Sequence, residues 1–210
     1  IEADVENAFK QARELIGKNG LKEGFVRISV SRGEGSSGYL PLEHINPTVA
    51  VETIHVSSVL PDTVRLWVST WKKPPLECLP VNSKIASSLN SVLARMEARD
   101  TDCFEALQLD MEGNVAEGSS SNIFWIREGK LYTPSLETGV LAGTTRAAVI
   151  RLSHLPVSEG KFRLTELQSA EEVFLTNVSW KLLPVQAIEP LGWVYDNYSE
   201  ALKIRSLLEK

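Results

Sequence analysis

The spacing of apolar residues along the chain predicts four helices. In the first, apolar side chains recur three or four positions apart, which places them on one helix face: Val5, Ala8, Phe9, Ala12, Leu15 and Ile16. The second has the same pattern at Ile85, Leu89, Val92, Leu93 and Met96. Residues 144–152 and 199–208 are predicted to form the other two, and Ser199 is the predicted cap of the last helix.

Runs of β-branched and aromatic residues predict the strands. They cover residues 25–31, 48–57, 64–70, 105–109, 121–126, 130–133 and 172–177. Helices and strands do not alternate regularly, so the predicted fold class is α+β rather than doubly wound. Prolines between residues 74 and 80 predict a linker. We therefore expect the remainder of a small N-terminal α/β domain at residues 1–74, a linker at 75–83 and a large domain at 84–210.

Composition and charge narrow the possible functions. The chain has 210 residues, of which 43% are hydrophobic, and a net charge of -5, which favours a soluble globular protein and disfavours nucleic acid as a partner. No apolar run is long enough to span a bilayer. Cys78 and Cys103 have no CxxC spacing and the three histidines have no metal-ligand spacing, so we expect reduced thiols in a cytoplasmic protein without a metal. Because the chain begins at Ile1 inside a helical pattern, we also expect that residues precede it.

One block of the sequence concentrates polar residues that could carry chemistry. It comprises residues 117–124, which read Glu-Gly-Ser-Ser-Ser-Asn-Ile-Phe, then 131–133 and 141–146. Considered alone, Glu117 is typical of a solvated acid in a turn, and Gly143-Thr144-Thr145 is typical of a helix cap. The same glycine and hydroxyl groups at a helix N-terminus also offer free N–H groups to a phosphate.

Taken in order, these elements resemble the signature of the class IV aminotransferases, which use pyridoxal 5'-phosphate. The resemblance covers the whole chain and implies the two-domain fold of the D-amino acid aminotransferases, assembled as a homodimer. It implies that Lys84, 33 residues before Glu117, binds the cofactor covalently and that Glu117 faces the pyridine nitrogen. The implied cofactor-binding residues are Lys84, Glu117, Leu141 on the ring face, Gly143, Thr144 and Thr145 at the phosphate, and Asn177 and Val178 in a second phosphate-side loop.

Within the family, two segments are similar to aminodeoxychorismate lyases. One is residues 176–185, with its Asn177, and the other is residues 195–199, which read Tyr-Asp-Asn-Tyr-Ser. The leading hypothesis is therefore a lyase that converts 4-amino-4-deoxychorismate to 4-aminobenzoate and pyruvate in folate biosynthesis. A branched-chain or D-amino acid aminotransferase is the alternative. A degenerate, non-catalytic member of the family is a second alternative.

The substrate side departs from the lyase pattern. Lyases often place an arginine before the glycine and tyrosine of their glycine loop, but here the loop reads Ser37-Gly38-Tyr39. Arg27 and Arg32 are candidates to supply the positive charge, with Tyr39 as a third candidate substrate residue. No position matches the arginine that the family directs at the cofactor phosphate, and this departure is what keeps the non-catalytic alternative open.

Overall fold

The computed structural model describes residues 3–35, 39–40, 43–55 and 60–209, and its mixture of helices and strands confirms the α+β class. It divides into two units, Ile1–Val59 and Leu60–Lys210. The small unit has helix α1 (Val5–Lys18) and the antiparallel strands β1 (Gly24–Ser31) and β2 (Thr48–His55). As the apolar spacing predicted, α1 is a single helix, and Ala8 and Ala12 are buried on one side of it.

The large unit contains the remaining elements. Its strands are β3 (Val64–Val68), β4 (Glu105–Leu109), β5 (Val115–Gly118), β6 (Asn122–Arg127), β7 (Lys130–Pro134), β8 (Val157–Gly160), β9 (Glu172–Asn177), β10 (Lys181–Glu189) and β11 (Trp193–Val194). Its helices are α2 (Leu89–Asp100), α3 (Thr144–Leu152) and α4 (Ser199–Leu208), with 3-10 turns at Leu136–Thr138 and Leu164–Ser169. Across the part of the chain that the structure describes, no helix has the length and apolarity to cross a bilayer.

The strands of the large unit form one mixed sheet in the order β5-β4-β3-β10-β9-β6-β7-β8, and β11 pairs with β10. Strand β10 joins the two halves. Its first part runs antiparallel to β9, and its second part runs parallel to β3 from Val185 onward, with a register shift between Val185 and Ala187. The sequence pattern does not predict β10, because Pro184 and the turn before it are typical of a loop.

The alternation of side chains along β6 divides the core of the large unit into two layers. Ile123 and Trp125 belong to a cluster that also contains Leu66, Leu107, Leu175 and Ile188. Phe124 and Ile126 belong to the opposite cluster, in which Val149 of α3 and Ile204 of α4 are buried. Successive residues of a strand point to opposite faces, so the continuous apolar run of β6 is explained by burial on both sides.

Helix α2 differs from its prediction in its first residue and in the residues that face the core. It begins at Leu89 rather than at residue 85, and the predicted apolar positions Leu89, Val92 and Met96 are exposed by 67%, 49% and 44%. The fully buried residues are instead the small Ala94 and Ala98, which pack in a cluster with Ala106 of β4. Small side chains let the helix lie close to the sheet. The prediction from apolar periodicity followed the larger apolar residues and therefore did not identify this face.

The division of the chain also differs from the predicted domains. The predicted linker at residues 75–83 lies inside the large unit, which begins at Leu60. The reason is β3, which pairs in parallel with both β10 and β4. Those partners lie up to about 120 residues away in sequence, so the proline-rich stretch is a surface connection within the large unit.

Helix α4 spans the predicted residues 199–208, but Ser199 is not its cap. The N-cap position is Tyr198, and its side chain makes no capping bond. The helix start is satisfied by Glu172 of β9, which is 1% exposed and accepts hydrogen bonds from the amides of Glu200 and Ala201 at 3.0 and 2.8 Å. The hydroxyl of Ser199 donates to the same carboxylate at 3.1 Å. A negative charge there also favours the helix dipole.

Candidate active site

The carboxylate of Glu117 is the centre of the candidate site. Glu117 is not a solvated acid in a turn, because it lies in β5 and is only 4% exposed. Its Oε1 lies 2.5 Å from the ammonium nitrogen of Lys73. Its Oε2 accepts hydrogen bonds from the side-chain amide of Asn122 and the backbone amide of Leu141, both at 2.9 Å. The buried charge is therefore surrounded by donors, as a buried carboxylate requires.

Burial and charge act in opposite directions on this carboxyl. Burial raises the pKa of Glu117, because the ionised form loses its hydration. The ammonium of Lys73 opposes this rise most strongly, followed by the amide of Leu141 and the positive charge of Lys84. Both lysines therefore lie close enough to Glu117 for their charges to favour its ionised form.

Asn122 connects this carboxylate to the start of helix α3. Besides its bond to Glu117, its side-chain amide donates to the carbonyl oxygen of Leu141 at 3.0 Å. A Cβ added to Gly143 would lie 2.3 Å from the Asn122 side-chain oxygen. Only a glycine lets α3 begin so close to Asn122, which explains why residue 143 at the N-cap of α3 has no side chain.

The N-terminus of α3 has the features of an anion site that the sequence suggested. The helix begins at Thr144, as predicted, and Gly143 at its N-cap supplies no side-chain cap. Thr144 is exposed and Thr145 is half-buried. The amides of a first helical turn have no partner within the helix and carry a partial positive charge, so this end of α3 suits a phosphate.

Lys84 lies near the site but not at the head of a helix. It is exposed and is located five residues before the first residue of α2. Its positive charge nevertheless lowers the pKa of Glu117, although less than the charge of Lys73 does. Lys73, which contacts Glu117 directly, was missed in the sequence analysis. A lysine beside two prolines gives no local signal, because its partner is 44 residues away.

Asn177 is the last residue of β9, and Val178 begins the turn that leads to β10. The side-chain oxygen of Asn177 accepts the amides of Ser179 and Trp180 at 2.9 and 3.0 Å, and its amide donates to the carbonyl of Ser120 at 3.3 Å. Val178 is 69% exposed. The Asn177 side chain thus shapes this turn and ties it to the serine turn that precedes Asn122.

That serine turn, residues 119–121, is held by a second buried carboxylate that the sequence analysis did not identify. Glu105 is 1% exposed and accepts hydrogen bonds from the hydroxyls of Ser119, Ser120 and Ser121. The backbone amides of Ser119 and Ser120 also donate to it. A signal was present in the sequence, since three serines in a row offer many donors, but the acceptor lies on a neighbouring strand.

Arg146, the last residue of the 141–146 motif, has a structural role. It is 6% exposed, donates to the carbonyl of Pro134 at 2.8 Å and pairs with Glu159 at 2.5 Å. It therefore ties α3 to the ends of β7 and β8.

The three candidate substrate residues belong to the small unit. Arg27 pairs across β1 and β2 with Glu52 at 3.0 Å, and both side chains are more than half exposed. Arg32 and Tyr39 are exposed as well. Residues 37 and 38, the other part of the glycine-loop prediction, lie outside the described residues. The substrate roles of Arg27, Arg32 and Tyr39 stay predictions.

Comparison with known sequences identifies the family. A model of the amino-transferase class IV family matches residues 1–188. A provisionally named branched-chain amino acid aminotransferase from Methanocaldococcus jannaschii is 32% identical over 201 residues, covering 94% of this chain and 69% of the relative. A similarly named protein from Thermotoga maritima is 40% identical over 128 residues, covering 60% of this chain and 46% of its own length. The chain thus matches about half to two thirds of these relatives.

Comparison with solved structures gives similar proteins of the same kind as the sequence comparison. A branched-chain aminotransferase from Thermoproteus uzoniensis, solved with norvaline, has a TM-score of 0.91 and 31% identity and covers 99% of this chain and 71% of its own. A protein from Legionella pneumophila, provisionally named a 4-amino-4-deoxychorismate lyase, has a TM-score of 0.89 and 25% identity over 100% and 78% of the two chains. Another branched-chain amino acid aminotransferase, solved with pyridoxamine 5'-phosphate, has a TM-score of 0.89, 29% identity and coverage of 99% and 71%.

The family match covers most of the chain, and the fold agrees over nearly all of it. The chain belongs to the class IV aminotransferases.

Proposed function

We propose that this chain forms most of a pyridoxal 5'-phosphate-dependent aminotransferase, which moves the amino group of an aliphatic amino acid to a 2-oxo acid. The observation that carries the proposal is the buried carboxylate of Glu117. Hydrogen bonds through Leu141 and Asn122 connect it to the start of α3. The positive charges of Lys73 and Lys84 act to lower its pKa.

The described residues fit the two ends of the cofactor. A carboxylate has about four acceptor positions, and among the described residues Glu117 uses three, for Lys73, Asn122 and Leu141. The remaining position is on Oε1, where a protonated pyridine nitrogen would donate. At the other end, the first turn of α3 offers amides to a phosphate. Nitrogen and phosphate are the two polar ends of this cofactor, and both have a matching group.

Each predicted residue then has a physical task. When bound, the cofactor supplies an electron sink for the negative charge that develops at the substrate Cα. Glu117 would hold the proton on the ring nitrogen. The Nζ of Lys84 would hold the cofactor covalently and, once released, would take the proton from the substrate Cα. Lys84 would also return that proton on the cofactor side; amino transfer further requires water to release the product 2-oxo acid and an acceptor 2-oxo acid to take up the amino group.

The other cofactor residues would position the ring and the phosphate. The amides and hydroxyls of Thr144 and Thr145 would orient the phosphate, with Gly143 keeping the helix start open, and Leu141 would pack against the ring. Asn177 and Val178 would contribute through their backbone, because the Asn177 side chain is engaged in its own turn.

Amino transfer is preferred to the lyase hypothesis because both lyase-like segments have local structural roles. Asn177 shapes the turn between β9 and β10. Tyr195 is 4% exposed, and its hydroxyl donates to the carbonyl of Leu167 at 2.8 Å, inside the core. These contacts explain the two residues without a substrate, so they do not favour one reaction. The relatives named as branched-chain aminotransferases then support the transaminase.

The lyase stays as a second candidate, supported by the similarity to the Legionella pneumophila protein. The two reactions differ in their requirement for an acceptor. Amino transfer needs a 2-oxo acid, whereas release of 4-aminobenzoate from aminodeoxychorismate needs none.

The test uses the full-length protein loaded with pyridoxal 5'-phosphate. We expect L-leucine or L-valine with 2-oxoglutarate to give the matching branched-chain 2-oxo acid and glutamate, with no product when either substrate is omitted. Formation of 4-aminobenzoate from aminodeoxychorismate alone, without amino transfer, would establish the lyase instead. Absence of both activities and of any visible cofactor absorption would favour the non-catalytic alternative. Sedimentation of the same sample tests the predicted homodimer.

A further inference from the structure

We propose that Lys73 is a positioning residue of the cofactor site, whose ammonium keeps Glu117 ionised beside the ring nitrogen while Lys84 makes the covalent link. This inference rests on the proposed function. The geometry that leads to it is the 2.5 Å ion pair between Lys73 and Glu117, in which the two side chains are only 12% and 6% exposed.

The position of Lys73 is fixed by its backbone and not by the ion pair alone. After β3 ends, the chain continues alongside β4: the amide of Ser69 donates to the carbonyl of Leu107, and that of Lys73 to the carbonyl of Leu109, both at 2.9 Å. Between them, the side chain of Gln108 donates to the carbonyl of Trp71 at 3.2 Å. Lys73 is therefore presented to Glu117 from a short segment that hydrogen bonds to β4 hold at both ends.

Helix α2 holds the same segment through Glu97. Its carboxylate accepts the hydroxyl of Ser69 at 2.7 Å, the indole N–H of Trp67 at 3.1 Å and the amide of Thr70 at 3.1 Å. Burial favours a higher pKa for Glu97, but the hydrogen bonds from Ser69, Trp67 and Thr70 outweigh it and lower the pKa below its usual value. A negative group thus anchors the approach to Lys73 without contacting its ammonium.

A close approach of two backbones places Lys73 and Leu141 on the same carboxylate. Gly139 has a φ of 78°, and a Cβ there would lie 2.8 Å from the carbonyl oxygen of Pro74 and 3.6 Å from Cγ of Lys73. The segment from Gly139 to Leu141 therefore packs beside Lys73. At its end, the backbone amide of Leu141 donates to the carboxylate of Glu117. Two of the three donors to this carboxylate are positioned by one contact.

The ion pair also indicates different roles for Lys73 and Lys84. An amine engaged with a carboxylate at 2.5 Å is held as a charged donor, and a charged amine cannot attack a carbonyl carbon. Lys84 is exposed and acts on Glu117 only through its charge, so its amine is the one available for a covalent bond. Lys73 instead balances a charge that would be costly to bury without a partner.

The test compares Lys73→Met with Lys72→Met, a matched control at the neighbouring lysine, whose side chain makes no ion pair among the described residues. Both full-length variants are loaded with pyridoxal 5'-phosphate, and the visible absorption of the cofactor–lysine adduct is titrated with pH. Without Lys73, Glu117 becomes neutral and the ring nitrogen loses its proton. We expect the titration midpoint of K73M to rise by about 1 pH unit or more, with Lys73→Arg and K72M unchanged.

A purely structural ion pair would lower the resistance of K73M to urea but leave its midpoint equal to that of K72M, and this result would overturn the proposal. Borohydride reduction followed by peptide mapping adds an independent readout, with the label expected on Lys84 in wild type and in every Lys73 variant. A label on Lys73 in the wild type would also overturn it. If K73M does not fold, Lys73→Gln replaces it in the comparison of titration midpoints with K72M, because glutamine removes the charge but keeps a hydrogen-bond donor. Wild-type protein without visible absorption or label would instead contradict the proposed function.

Discussion

The side-chain amide of Asn122 bridges two groups of the candidate site, the carboxylate of Glu117 at 2.9 Å and the carbonyl oxygen of Leu141 at 3.0 Å. Both contacts use N–H donors, so no residue without such a donor can make them. Asn122 lies at the first position of β6, and the paired strands around it fix its backbone. The bridge therefore joins the edge strand that carries Glu117 to the loop that leads into α3.

Replacement of Asn122 by aspartate is expected to weaken cofactor binding by about tenfold or more. The change removes both donations and puts a second carboxylate against Glu117, and two carboxylates in one site cannot both ionise freely. Cofactor affinity, measured by absorption titration, checks this. Asn7→Asp, on the exposed first turn of α1, is the control and should bind normally. Equal affinities in the two variants would contradict the bridging role.

Gly143→Ala is expected to lower the free energy of unfolding by about 1 to 3 kcal/mol. The added Cβ would lie 2.3 Å from Oδ1 of Asn122, which cannot move away without losing its two hydrogen bonds. Urea unfolding of the cofactor-free protein measures the change. Gly17→Ala, inside α1 with no atom within 4 Å of the new Cβ, should show no such loss. If the stability of G143A were unaltered, the side chain of Asn122 would not be fixed by its hydrogen bonds to Glu117 and Leu141.

Tyr195→Phe is expected to cost about 1 kcal/mol of stability without changing which reaction the protein catalyses. Its hydroxyl donates to the carbonyl of Leu167 in the core, and burial raises the pKa of this tyrosine well above its usual value, so it stays a neutral donor. Tyr39→Phe, at a fully exposed position, should leave the stability unchanged. If Y195F selectively abolished activity on aminodeoxychorismate, Tyr195 would have a substrate role and the lyase hypothesis would regain support.

The stability of the cofactor-free protein should depend on pH through Glu117. Burial raises its pKa in the folded state, so as pH rises above the ordinary glutamic acid value the unfolded chain loses this proton first. The free energy of unfolding of the wild type, relative to Glu117→Gln, should therefore fall as pH rises from that value through the folded-state pKa, and stay level above it. Urea unfolding of both proteins between about pH 4 and 8 measures this difference. A difference that increases with pH would show that Lys73 and Lys84 outweigh burial.

Local patterns predicted those elements whose signals lie within a few residues. Helix α3 has the predicted bounds 144–152, and α4 the predicted 199–208, since helices are stabilised by neighbours along the chain. Strand β5, which carries Glu117, was not predicted because it has four residues and depends on pairing with β4. The burial of Glu117 excludes its interpretation as a solvated acid, and its role as a ring-facing carboxylate stays a prediction.

The sequence by itself determined the family, through motif residues whose order survives in the chain from Lys84 to Arg146. It also determined the helical periodicity of α1 and the glycine at the start of α3. Only the tertiary structure decided that Lys73 pairs with Glu117, that Ala94 and Ala98 rather than the larger apolar residues face the sheet, and that β3 belongs to the large unit. Each of these depends on contacts between residues far apart in sequence. Local sequence patterns do not show which distant residues form a buried ion pair or which strands pair with each other.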